Sequence, residues 1–186
     1  MISTAVQYRI LTSFDDTAIS PQQWNDLLAQ SPSNEIFLTW QWQKAWWDTF
    51  GRGQLLVIIA ERNEELIAIA PLFADTGMIY FVGSGGSDYL DFIGDISDIE
   101  MFGELLQLAA SQAPGFLGFI FYHVQHTSFT SHQLNNVAKL LGWSCVEEGE
   151  TVAPRMELKT CPEHAMEATR KKVCCAMKHG SIKTAE

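Results

Sequence analysis

Two apolar runs around a short polar turn constrain this chain more than any other feature in it. Leu55–Glu61 (LLVIIAE) and Leu66–Phe73 (LIAIAPLF) flank Arg62-Asn63-Glu64-Glu65. The first run is almost continuously apolar and rich in β-branched residues, which marks a central strand with both faces covered. The turn residues between the runs predict an antiparallel hairpin. Pro71 predicts a bulge or bend in the return strand, because proline cannot donate to a ladder.

Other elements follow around this hairpin. Gln7–Leu11 and Met78–Val82 read as strands, and Tyr89–Ile93 as a further short one. Ser20 and Pro21 open a helix whose apolar stripe is Trp24, Leu27 and Leu28, and Ser31-Pro32-Ser33 ends it. Thr39 caps a second helix, Trp40–Phe50, which stops at Gly51 and carries Trp40, Trp42, Trp46, Trp47 and Phe50. Ile99–Gln112 is amphipathic, Phe116–Tyr122 reads as a buried strand, and Ser128–Leu141 as a helix closed by Gly142. Trp143–Glu147 and Arg155–Leu158 read as strands, and Pro162–His179 as a basic helix. Antiparallel strands followed by a helix–strand–helix–strand passage predict an α/β (α+β) fold, a mixed sheet covered by helices.

The length of 186 residues suits one domain, and 47% apolar residues suffice for a core. Six Trp and eleven Phe imply a thick aromatic core or an aromatic-lined groove. Charge divides the chain: residues 1–154 hold 18 acids against 5 Lys and Arg, and residues 155–186 hold 4 acids against 7. The expected division is therefore a domain over 1–158 and a basic helix or tail over 159–186. An acidic body repels nucleic acid. Cys145, Cys161, Cys174 and Cys175 include no CxxC pair, which suits reduced thiols in a cytoplasm. No signal peptide and no membrane span are expected.

Three groups of residues carry possible chemistry. Gly83-Ser84-Gly85-Gly86 follows a strand, as a phosphate loop would, but Asp88-Tyr89-Leu90-Asp91-Phe92 follows instead of a helix, and no Lys-Ser/Thr comes after the glycines. A structural turn and a ligand-contacting loop both remain open. Asp88 and Asp91 are candidates for a general base and its partner, for ligands to a metal, or for a polar strand end; on a strand, their spacing would put them on opposite faces. His123 and His126 flank a strand end, with His132 nearby, and His123 is the best lone candidate for acid–base work. Without HExxH or cysteines at ligand spacing, no metal is expected.

Taken in order, IFLTWQWQKAWWDTFG (Ile36–Gly51), LLVIIAERNEELIAIAPLF (Leu55–Phe73) and FVGSGGSDYLDFIGD (Phe81–Asp95) resemble the CelD-like proteins of the GNAT acyltransferase superfamily, a group sometimes associated with cellulose biosynthesis. The resemblance spans roughly Trp24–Leu158. Such proteins are usually about twice this length, two GNAT-like halves in tandem, similar in plan to FemAB-type aminoacyl transferases. The resemblance implies a mixed, mostly antiparallel twisted sheet and transfer of an acyl group from acetyl-CoA or another acyl-CoA to an amine. It also implies a substrate groove at Trp42, Ser87, Asp88, Tyr89 and Asp91, with His123 as reserve base. The family's pyrophosphate loop, Arg/Gln-x-x-Gly-x-Gly/Ala, is not found here and belongs to the second half. This chain is therefore expected to be an N-terminal half, truncated and inactive alone, that binds no acyl-CoA itself. Its expected partner is the missing C-terminal GNAT-like domain or a second copy in a homodimer. The alternative is a non-enzymatic binding module.

Overall fold

The structure, a computed structural model, describes residues 5–149. The chain divides into two compact units, Met1–Val146 and Glu147–Glu186, and only Glu147–Gly149 of the second are described. The expected strand Arg155–Leu158, the basic helix Pro162–His179, and Cys161, Cys174 and Cys175 lie outside the described residues.

The first unit is α+β. Its strands are β1 (Gln7–Leu11), β2 (Gln54–Arg62), β3 (Glu65–Asp75), β4 (Met78–Phe81), β5 (Ile93–Gly94) and β6 (Gly118–Ile120). Its helices are α1 (Pro21–Gln30), α2 (Trp40–Phe50), α3 (Ile99–Gln112) and α4 (Phe129–Leu140), with a short 3-10 turn at Ile36–Leu38. The sheet order is β1-β2-β3-β4-β6, and β5 pairs with β3 beyond the end of β4. Every pairing is antiparallel except β4 with β6, which the α3 crossover makes parallel.

The expected central hairpin is present. Asn63 and Glu64 both take left-handed φ values, 54° and 66°, the backbone of a two-residue type I′ turn, and Arg62 faces Glu65 across it. A second turn of the same kind, Thr76-Gly77, joins β3 to β4, and Asp75 faces Met78. Pro71 does not mark the irregularity: it stays in register with Val57, and the shift lies at Ala60/Glu61. The carbonyl of Pro71 accepts from Val82 N–H at 2.8 Å. The N–H that proline lacks would point to that same edge, where the neighbour of β3 changes from β5 to β4. The proline thus occupies a gap in the ladder and does not bend the strand.

Leu55–Ala60 of β2 and Ala68–Ala74 of β3 are buried without alternation, so both sheet faces are covered. Adjacent residues of β4 show what covers each face. Tyr80 stacks on Phe73, whose ring meets Trp46 at 5.7 Å and Trp47 at 5.8 Å, both on α2. Phe81 points the other way, to Phe92 at 5.1 Å, and Phe92 meets Phe102 of α3 at 5.0 Å. Most of the aromatic richness is therefore core.

Helix ends follow local chemistry. Ser20 and Gln23 form a reciprocal capping box at α1 with Pro21 in the first turn, and Thr39, Asp98 and Ser128 cap α2, α3 and α4. Three expectations at the second half of the sheet are corrected. Tyr89–Phe92 is irregular and only Ile93–Gly94 pairs; Gly94, at φ 93°, lies so close to Ile67 that a Cβ would meet its carbonyl oxygen at 2.2 Å. Phe116–Tyr122 contracts to Gly118–Ile120, and Trp143–Glu147 is not a strand. Trp143 instead lays its ring against Phe116 and Phe119.

Candidate functional site

The residues singled out from sequence gather where α2 meets the segment after β4. Thr39 starts α2 so that Trp42 and Gln43 face this segment. The indole N–H of Trp42 donates to the buried Ser87 Oγ at 2.9 Å. The fully buried Gln43 donates through Nε2 to Phe37 O at 2.7 Å and Val82 O at 3.1 Å. Trp46 lies under Gly86, where a Cβ would come within 3.2 Å of its Nε1. The glycine segment is a turn clamped on α2: Gly83 has φ 106°, and a Cβ there would strike Ser87 Oγ and Leu90.

Two backbone donors of that turn act internally. Ser84 N–H bonds Phe81 O, and Gly86 N–H bonds Gly83 O. The next helix, α3, starts only at Ile99, and its first-turn N–H groups of Glu100 and Met101 bond the Asp98 carboxylate. The structural-turn reading of Gly83–Gly86 is the one this geometry supports.

Asp88 and Asp91 part company, though not by strand alternation. Asp88 is exposed, whereas Asp91 is 5% exposed. Asp91 Oδ2 accepts from Ser33 Oγ at 2.6 Å, and Oδ1 accepts from Phe92 N–H at 2.8 Å and from the buried Thr130 hydroxyl. Desolvation raises Asp91 above the usual carboxylate range, and bonds from Ser33, Thr130, Phe92 and Ser128 pull the other way without offsetting it. Ser31 Oγ accepts from Gly94 N–H at 3.1 Å, so the end of α1 is stitched to β5.

Tyr89 is half-buried and shares a small recess with Ser33, Glu35, Asp91 and Gln125, in which Gln125 Nε2 donates to Glu35 at 2.9 Å. The Phe37 ring lies between Trp42 at 5.0 Å and Tyr89 at 6.2 Å. All three rings are partly buried, and Ile36 beside them is 65% exposed. His123 is half-buried with φ 61°, and its carbonyl accepts from Leu90 N–H at 3.2 Å. It is thus anchored to the same segment by its backbone.

Trp42, Ser87 and Tyr89 therefore border one surface, Asp88 stands free on the intervening loop, and Asp91 is a buried support. Sequence reasoning missed Ser33, Phe37, Gln125 and Thr130, which reach this region from distant parts of the chain. The one available signal was Ser33 after the proline, read only as a helix stop. Among the described residues no group of three or more His, Cys, Asp or Glu is placed to hold a metal, and no helix is long and apolar enough to cross a membrane. No protein-family model matches the chain, and no curated protein or solved structure matches it.

Proposed function

We propose that this chain is the acceptor-binding half of a CelD-like GNAT acyltransferase. It receives an amine at the Phe37–Trp42–Tyr89 surface, while a second GNAT-like domain holds the acyl-CoA. The observation that carries this reading is the partly exposed aromatic trio beside exposed Asp88, fixed in place by the Trp42–Ser87 bond. An alkylammonium group over such rings gains about 0.5–2 kcal/mol from the ring quadrupole. The net charge of −10 attracts cations and repels polyanionic CoA. The internally bonded glycine turn and the self-capped α3 offer a pyrophosphate few free N–H groups, which supports an acyl-CoA site elsewhere. Calorimetry with acetyl-CoA tests this: binding weaker than about 10 μM is expected, and a tighter constant, on the order of −7 kcal/mol, overturns it.

A second reading, an interaction module that pairs with another copy, is favoured by Leu117 and Tyr122, which are 76% and 41% exposed at either end of β6, the edge strand of the sheet among the described residues. Sedimentation equilibrium separates the two: a dimer that ignores added amine supports the second.

A further inference from the structure

Asp91 is a buried carboxyl that no acceptor-binding role requires. It sits where the segment after α1, the approach to β5 and the start of α4 converge. Its hydrogen-bond partners are two hydroxyls, those of Ser33 and Thr130, and one backbone N–H, that of Phe92, with the Ser128 side chain close enough to lower its pKa. Ser128 is also the cap of α4, its Oγ accepting from Ser131 N–H.

No cation is paired with this carboxyl among the described residues. Arg9 pairs with Glu61, Lys44 with Asp15 and Asp48, Arg52 with Asp75, and Arg62 with Asp98. Lys139 lies in the last turn of α4, about 14 Å along the helix from Thr130 at 1.5 Å per residue. The titratable groups in the same recess are Glu35 and Tyr89, neither a cation. His123 touches the segment through its backbone, and His126 and His132 are exposed.

A buried carboxylate without a cation is costly, and taking a proton relieves the cost. Most sites would lose hydrogen bonds in doing so. Here two of the three hydrogen-bond partners are hydroxyls, each able to donate or to accept, so a rotated Ser33 or Thr130 O–H can accept from the carboxylic acid while the Phe92 N–H still finds an oxygen. We propose that Asp91 is a proton-uptake site of the folded chain, its hydroxyl partners bonding it in either charge state, so that acid tightens the junction of α1, β5 and α4 and does not open it.

The sign follows from linkage. Burial raises Asp91 in the folded chain, while the unfolded chain keeps the ordinary Asp value of about 3.9. Between these values the folded state binds more protons. The contribution of Asp91 to stability therefore rises as pH falls through the folded value and levels off below about 3.9. Each unit of upward displacement corresponds to about a tenfold larger folding constant in the acidic limit.

Carbon-detected NMR titration of the Asp91 carboxyl in the intact chain is the direct test. A midpoint above about 3.9, with the Thr130 and Phe92 amide signals kept throughout, is expected. A midpoint at or below that value means the donors outweigh burial and overturns the proposal, as does loss of those signals on protonation. Urea unfolding of the wild type and Asp91→Asn between pH 7 and 4 gives an independent readout. The wild type should gain on the variant as pH falls; a constant gap or the reverse trend overturns the proposal. If the variant fails to fold, the titration alone decides.

Discussion

Replacing Phe92 with Ala should cost this fold more than most single changes. Phe92 is 2% exposed, and its ring meets Phe81 at 5.1 Å, Phe102 at 5.0 Å and Phe121 at 5.6 Å, all edge-on. It links the sheet to α3 and is the residue next to Asp91. Truncating a buried Phe to Ala typically costs about 3–5 kcal/mol, through lost transfer energy and the cavity left behind. The edge-on pairs put this site toward the upper part of that range. A domain of this size is stable by about 5–15 kcal/mol, so about a quarter or more of the total is at stake. Urea unfolding followed by far-UV circular dichroism measures it. With a slope of about 2 kcal/mol per M, a loss of about 4 kcal/mol moves the midpoint down by about 2 M at unchanged slope. A loss below about 1 kcal/mol would show that the Phe81–Phe92–Phe102 contacts do not form a packed core, and the reasoning that joins α3 to the sheet would fail.

Glu64→Gly should stabilise the chain by about 1 kcal/mol, because a non-glycine residue at φ 66° is strained and Asn-Gly is the preferred type I′ pair; an unchanged or lower melting temperature contradicts the turn assignment. Trp42→Phe removes the donor to the buried Ser87 and should cost about 1–2 kcal/mol in urea unfolding; a neutral result means that the bond to the glycine turn is not made.

The hairpin was legible in the sequence because its signals are local: two apolar runs, a four-residue polar break, and a register that the turn itself sets. Helix boundaries were legible for the same reason, since Ser20, Thr39 and Ser128 cap through their own next residues. Tyr89–Ile93 misled because its apolar residues look like a strand, whereas the segment is held by bonds to Ser33, Thr130 and His123, up to 58 positions away. Trp143 has a strand-like neighbourhood yet serves as a lid on Phe116 and Phe119. The candidate site was half legible. The exposure of Asp88 and the burial of Asp91 could not be told apart by composition, and Phe37 gave no sign that its ring would bridge Trp42 and Tyr89.

The claim that the aromatic trio receives an amine is tested most directly by following the indole N–H signals of the chain in NMR during titration with butylamine at neutral pH and about 0.15 M salt, where long-range attraction to the acidic surface is screened. The account predicts a saturable shift of the Trp42 Nε1–H signal, with those of buried Trp24 and Trp46 unmoved, and loss of the remaining saturable response in Tyr89→Ala. Equal small shifts of all indole signals, or no saturation, would contradict it.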